Sequence, residues 1–331
     1  MFSWRKSKKN WGQKKNKDNQ VSRQFHLTIL GSNSAVPAYG RFPTSQALKI
    51  NNHLFLIDCG EGTQIRAAQY KVKRNQIDCI FISHLHGDHL YGLPGLLTSM
   101  SLNSRTKAIK VFGPVGIKRY LDTVFELSRA YMSFELELIE LDNADAQTIL
   151  DLPDVKVTAF PVYHRLPCYG YKFEEKQKEA NVIKQSIKDF QLTVEEIKMA
   201  KEGLDIQRPN ALIPNDLLTH PRAKPASYAF CADSEAKDEL IEDIKQVTAL
   251  YFETTYLSDM AGQAAERGHA TSRSAAMLAK KADVQLMISG HYSSRYRDIE
   301  RFRQEIEEHF QPLVLGRDGE MINILDYVKS E

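Results

Sequence analysis

The chain has 331 residues, 42% of them hydrophobic and 26% charged, with a formal net charge of +2 at neutral pH; that is enough for one large α/β domain or two smaller ones. No apolar run approaches the roughly 20 residues a membrane-spanning helix requires, and the first residues lack the apolar core of a signal peptide. Four scattered cysteines form no C-x-x-C pair, which speaks against a secreted disulfide scaffold and fits a reduced, cytoplasmic compartment.

Charge is unevenly placed. Residues 1–24 hold eight Lys or Arg against one Asp, and the remainder holds 36 basic against 41 acidic residues. Affinity for a polyanion must therefore come from a local patch rather than from bulk charge. Residues 1–22 are polar, basic and aperiodic, the composition of a disordered tail or of a basic arm that touches phosphates. One folded unit, 23–331, is expected after it.

Phe25–Leu30 reads as a first strand and ends in the small-residue turn Gly31-Ser-Asn-Ser34. Ala47–Ile50 and Leu54–Asp58 read as a hairpin through Asn51-Asn52. Asp58 stands at a strand end before a glycine turn. There it suits either a hydrogen bond to a metal-bound histidine or the N-cap of a helix over Thr63–Tyr70.

Ile77–Ser83 is an apolar run of strand length, and it leads into the most informative stretch, Phe81-Ile-Ser-His-Leu-His-Gly-Asp-His-Leu90. His84 and His86 are two apart, so in an extended segment they point to one side. Gly87 allows a sharp turn, after which Asp88 and His89 face a second point nearby. Imidazole suits zinc and other borderline ions, and carboxylate adds hard oxygen ligands. The pattern therefore points to two adjacent cations, which in such sites lie roughly 3.5–4 Å apart.

Leu96–Leu102 reads as a helix, Ile109–Phe112 as a strand and Ile117–Arg129 as a helix. Strands are expected over Glu135–Leu141 and Val155–Phe160, the second running into His164. Residues 172–225 read as an inserted segment on the outside of the core. Its first part, 172–205, is charged and helix-forming, with a capping box from Thr193 to Glu196, and Pro209, Pro214, Pro221 and Pro225 follow. It is either a solvated elaboration or a substrate-gripping arm. Ala226–Cys231 is a strand that ends at Asp233. The strand-end position favours Asp233 over Cys231 as a ligand, and its carboxylate can bridge two cations. A strand over Val247–Phe252 ends at Glu253. Gly268-His-Ala-Thr-Ser272 precedes a helix over Ser274–Lys281, where Thr271 or Ser272 can cap and the N-terminus suits a phosphate. Val284–Ser289 is a strand ending at Gly290-His291, Asp298–Phe310 a helix and Met321–Leu325 a closing strand. Alternating strands and helices indicate a layered α/β fold.

Each candidate ligand thus stands just after an expected strand: His84, His86, Asp88 and His89, then His164, Asp233 and His291. Shared between two ions, they partition as His84, His86 and His164 on one and Asp88, His89 and His291 on the other, with Asp233 between. Such ions lower the pKa of water towards about 7 and so supply a nucleophile at neutral pH.

The H-x-H-x-D-H run after a hydrophobic strand resembles the signature of the metallo-β-lactamase superfamily. The order and spacing of the whole set narrow this further. With Leu30–Pro37, Leu56–Gln64, Ser83–His89, Gly268–Thr271 and Ser289–Tyr296, the chain resembles the ribonuclease Z family, endonucleases that trim the 3′ end of precursor tRNA, over about residues 25–328. The resemblance implies a four-layered αββα sandwich, usually a homodimer, with two zinc ions per subunit or manganese or iron in their place. It implies precursor tRNA as substrate, cut to leave a 3′-hydroxyl on the tRNA and a 5′-phosphate on the trailer. It also implies that Asp88 is proton acceptor as well as ligand, and that His269 protonates the leaving oxygen with Glu253 placed to orient it.

Two features depart from the family pattern. Many bacterial members carry P-x-K-x-R-N, linked to treatment of the CCA end; here Pro37-Ala-Tyr-Gly-Arg41-Phe42 lacks its lysine and asparagine. Many carry a Gly- and Pro-rich tRNA-gripping arm, and 172–225 lacks that composition. A competing reading is a small-molecule phosphodiesterase, lactonase or thioesterase of the same fold. The metal cluster alone does not exclude it, but the His269 segment and His291-Tyr-Ser-Ser-Arg295 argue against it. A binding protein without catalysis is disfavoured by the complete ligand set.

Overall fold

Short apolar and aromatic runs, buried on both faces in the central strands, build two sheets in the computed structural model, which describes residues 23–329; the expected tail over 1–22 lies outside the described residues. In the first half the strands are β1 (Phe25–Gly31), β2 (Ser45–Ile50), β3 (His53–Ile57), β4 (Cys79–Phe81), β5 (Ile109–Pro114) and β6 (Leu136–Leu141). In the second they are β7 (Gln147–Asp151), β8 (Val155–Pro161), β9 (Tyr169–Glu175), β10 (Ile206–Arg208), β11 (Ala211–Ile213), β12 (Ser227–Cys231), β13 (Ala249–Glu253), β14 (Met287–Gly290), β15 (Leu313–Leu315) and β16 (Met321–Asn323). One seven-stranded sheet runs β16-β1-β2-β3-β4-β5-β6 and the other β15-β14-β13-β12-β9-β8-β7, with β10 and β11 as a separate hairpin.

The period of two in each strand sorts side chains between two layers. In the first sheet Phe55, Ile57, Phe81 and Phe112 face the second sheet. Leu54, Leu56, Ile80 and Val111 face an outer layer, where the helices Leu93–Leu102 and Ile117–Ser128 add Leu96, Leu97 and Leu121. Aromatic rings lock the sheets together: Phe81 lies 5.2 Å from both Tyr171 and Phe173, centroid to centroid. The Tyr171 hydroxyl reaches the Ile82 carbonyl at 2.6 Å, so the apolar interface keeps its polar atom satisfied. The helices Ser272–Lys281 and Glu300–Glu307 cover the second sheet with Ala275, Leu278, Phe302 and Ile306. The result is the expected four layers, helix, sheet, sheet, helix.

The insertion begins later than expected. Lys172 to Glu175 belong to β9, paired with β8 and β12, because Phe173 points into the core while Lys172 and Glu174 alternate outward. The arm proper starts at Lys176, folds the helices Lys184–Asp189 and Val194–Glu202 against β10 and β11, and closes a small core of Leu192, Ala200, Ile206, Ile213 and Leu218. The capping box is present, with Thr193 and Glu196 each bonding the other's backbone N–H. Strands β7 and β15 had no expectation in the sequence: β7 is half exposed and β15 only three residues long.

Candidate metal centre

Strands β3, β4, β8, β12, β13 and β14 all deliver their C-terminal ends to one rim, and the chemistry-bearing side chains follow immediately. His84, His86, Asp88 and His89 lie after β4, His164 after β8, Asp233 after β12 and His291 after β14. All seven expected ligands converge. His84, His86, His164 and Asp233 offer ligand atoms within 4.8 Å of one another, as do Asp88, His89 and His291.

Asp233 stands between the two groups. Its Oδ1 lies 3.2 Å from His89 Nε2 and 3.0 Å from His291 Nε2. Its Oδ2 lies 3.6 Å from His84 Nε2 and 3.9 Å from His164 Nε2. Asp88 Oδ2 closes the second group at 3.5 Å from both His89 Nε2 and His291 Nε2, and accepts the Ala35 backbone N–H at 2.8 Å.

Partners on the outer ring nitrogens fix which way each lone pair points. His89 Nδ1 donates to Asp58 Oδ2 at 2.6 Å, and His164 Nδ1 donates to the Gly268 carbonyl at 2.8 Å. Ser83 Oγ spends its proton on Asp58 at 2.9 Å, so it accepts from His84 Nδ1 at 3.0 Å. Thr255 Oγ1 spends its proton on Glu253 at 2.6 Å, so it accepts from His291 Nδ1 at 2.8 Å. Four Nε2 lone pairs therefore face inward together. His86 adds its Nδ1, 2.9 Å from His84 Nε2 and 3.3 Å from His164 Nε2.

Converging acceptors with no shared proton repel unless a cation lies among them. Asp233 Oδ1, buried and without a hydrogen-bond donor, makes the same demand. The donor set fits two borderline divalent ions bridged by a carboxylate. Electrostatics agree. Burial would raise the Asp233 pKa, but His291, His89 and His84 hold it well below the carboxylate range. Burial likewise opposes ionisation of Asp88, and the neighbouring His89 and His291 override it. Burial disfavours charge on His89, yet Asp233, Asp88 and Asp58 push its pKa well above normal: three carboxylates call for positive charge at this point.

His269 sits beside the cluster. Its Nδ1 lies 2.8 Å from Glu253 Oε1 and 3.9 Å from Asp233 Oδ2. Glu253 is fully buried, and its carboxylate is held by the N–H groups of Ser234, Thr255 and Ala270. Burial works against a charged imidazole, but Glu253 outweighs it and raises the His269 pKa to about 9.

Backbone strain marks the same rim. Asp58 has φ 55° and His291 φ 59°, left-handed conformations costly for residues with a Cβ and held here by the surrounding bonds. Gly268 serves a close approach: a Cβ there would meet His164 Nδ1 at 3.2 Å, at φ 68°.

Two expectations are corrected. Asp58 does not cap a helix; the helix Thr63–Gln69 starts at Gly62 without a side-chain cap, and the Asp58 carboxylate is spent on His89 and Ser83. The N-terminus of Ser272–Lys281 is no open phosphate seat, because Thr271 Oγ1 already takes the Ser274 N–H at 3.1 Å. Cys231 is fully buried and, as the strand-end argument favoured, it is Asp233 and not Cys231 that joins the ligand groups. Ser83, Thr255 and the Gly268 carbonyl went unread in the sequence. Thr255, two residues past Glu253 at a strand end, carried a usable signal; a backbone carbonyl carries none.

Two sheets packed face to face, with histidines and aspartates gathered on one rim, define a hydrolase-type metallo-β-lactamase fold. A family model described as a beta-lactamase superfamily domain matches residues 53–183. Among solved structures, human tRNase Z, short form, superposes with a TM-score of 0.65 at 24% identity, covering 90% of this chain and 99% of that one. A diphosphatase from the PhnP family gives a TM-score of 0.59 at 18% identity, covering 91% and 98%. At these identities both likenesses speak to fold. Ribonuclease Z of Parabacteroides distasonis is 35% identical over 301 residues, 91% of this chain and 99% of the relative. Ribonuclease Z of Cytophaga hutchinsonii is 39% identical over 311 residues, 93% of this chain and 98% of the relative. The chain belongs to the ribonuclease Z family.

Proposed function

We propose that this protein is a metal-dependent endoribonuclease that cleaves precursor tRNA on its 3′ side, leaving a 3′-hydroxyl on the tRNA and a 5′-phosphate on the trailer. The observation that carries the reading is the division of labour at Asp233: its two oxygens face two separate histidine groups, with the His269–Glu253 pair just outside. His84, His86 and His164 would hold one cation, Asp88, His89 and His291 the other, and Asp233 both. Zinc suits the five imidazoles and two carboxylates, and manganese or iron are accepted by the same donors. Two such ions, when bound, would lower the pKa of water and offset the negative charge of the phosphodiester.

The chain's own residues supply the rest. Asp88, held anionic, orients the attacking water and accepts its proton. His269 is protonated at neutral pH and held at Nδ1 by Glu253, so its Nε2–H is free to protonate the leaving 3′ oxygen. Asp58 and Thr255 keep His89 and His291 in the tautomer that a ligand needs.

The remaining parts of the proposal are a homodimer and a cytoplasmic setting. Exposed Leu102, Leu127 and Tyr131 on the outer helix layer give a second copy something to bury. The buried cysteines Cys59, Cys79, Cys168 and Cys231 are all free thiols, and no helix among the described residues is long and apolar enough to cross a membrane. The test is a side-by-side assay on precursor tRNA and on lactone and thioester substrates. Turnover of the RNA alone is expected; efficient turnover of a lactone or thioester with intact RNA would contradict the reading.

A further inference from the structure

Glu305 belongs to neither histidine group, yet one of its oxygens collects three donors. It stands half-buried on the outer helix Glu300–Glu307. Its Oε2 accepts the Ser258 N–H at 3.0 Å, the Ser258 hydroxyl at 2.7 Å and the Ser272 hydroxyl. Burial works against its charge, but the bonds from Ser272 and Ser258 outweigh it and lower its pKa. The acceptor is therefore an ionised carboxylate at neutral pH, and such bonds are roughly twice as strong as neutral ones.

The two serines mark the two ends of one excursion of the chain. After β13 the chain leaves the second sheet at Thr254, runs through the helix Ala261–Arg267 and returns at Ser272, where the helix Ser272–Lys281 begins. His269 lies on the return, with its backbone N–H on the Ala264 carbonyl at 2.9 Å. The two ends also meet each other, through the Ser272 N–H on the Tyr256 carbonyl at 2.9 Å. From the inside, Glu253 holds the His269 ring and the Ala270 N–H. From the outside, Glu305 holds both ends. Tyr296 secures the first end as well: its hydroxyl accepts the Leu257 N–H at 3.2 Å, and its ring packs edge-on against Phe302 of the Glu305 helix, centroids 5.0 Å apart. The His269 ring centroid lies 5.2 Å from that of His164 and 5.6 Å from that of His291. A small drift of the excursion therefore changes where the imidazole stands against anything bound between those groups.

We infer that Glu305 is a positioning residue for the proton donor: it clasps both ends of the 254–272 excursion and so sets His269 against the departing oxygen. The inference rests on the function proposed above and deepens it. Glu305→Ala should lower kcat on precursor tRNA roughly tenfold, inside the 10²-fold that a misplacement of about 1 Å can cost, with KM and metal content at wild-type values. Glu305→Gln keeps an oxygen acceptor at this point and should recover most of that rate. Bis(p-nitrophenyl) phosphate, whose phenolate departs without a donated proton, should feel Glu305→Ala far less than the RNA does. Placed in a His269→Ala background, Glu305→Ala should cost nothing further, because the donor it positions is gone. Amide hydrogen exchange over 257–272 reads the clasp without turnover; it should quicken in Glu305→Ala and stay slow in Glu305→Gln. Unchanged exchange, an equal loss on both substrates, or the same loss with and without His269 would overturn the inference. Quickened exchange in a protein that leaves precursor tRNA uncut would keep the clasp and remove the proposed activity instead.

Discussion

At the level of single residues, the roles proposed for Asp88 and His269 predict different losses: rate and metal together for the first, rate alone for the second. Asp88→Ala would remove a proposed ligand and the proposed proton acceptor together; cleavage is expected to fall by at least roughly 10²–10³-fold with the circular dichroism of the fold intact. A variant with near-normal turnover would falsify its role. His269 lies outside both ligand groups of the proposed partition, so His269→Ala should lower kcat by roughly 10²–10⁴-fold while metal content stays at the wild-type value. Matched losses of rate and metal would make it a ligand. The sign of the pH dependence follows from Glu253. With a pKa raised to about 9, the protonated His269 is present below that pH and lost above it, so kcat should fall on the basic side. Glu253→Gln removes the stabilising carboxylate and should move that limb to lower pH; a limb that does not move places the titration elsewhere. The contiguous His84-to-His89 run was legible in the sequence because one strand exit presents it. Ser83 and Thr255 were not, because a hydroxyl becomes a tautomer-setting acceptor only when its proton is spent on a carboxylate from a distant strand, Asp58 for one and Glu253 for the other.

Among the elements, the arm is the most independent. The Glu175 N–H bonds the Ala226 carbonyl at 2.9 Å and the Ala226 N–H bonds the Glu175 carboxylate at 3.0 Å, so the two ends of the insertion are already antiparallel neighbours. Replacing 176–225 with a two-residue Asn-Gly turn should therefore leave the sheet folded. This variant is expected to keep full activity on a small phosphodiester and to bind precursor tRNA more weakly; equal tRNA affinity would make the arm a bystander. The sequence read 172–175 as part of the arm because three of its four residues are charged. In the fold those charges alternate with Phe173, Lys172 and Glu174 outward and Glu175 against Arg23. A period of two over only four residues is too short to outweigh the helix-forming run that follows it. The long strands of the first sheet were legible because Leu54 to Ile57 and Ile109 to Phe112 must satisfy two apolar layers at once.

For the whole molecule, the fold's main work is to bring strand ends from both sheets to one rim, so that residues more than 200 positions apart, His84 and His291, serve one site. The order of the ligands along the chain carried that arrangement; the register of the two sheets and the split of the Asp233 carboxylate did not appear until the packing was in view. The account depends on that carboxylate lying between two cations. Anomalous scattering from crystals of the full chain grown with zinc or manganese measures this directly. Two peaks roughly 3.5–4 Å apart, one beside His84, His86 and His164 and the other beside Asp88, His89 and His291, with Asp233 between them, are expected. A single peak, or peaks away from Asp233, would contradict the account.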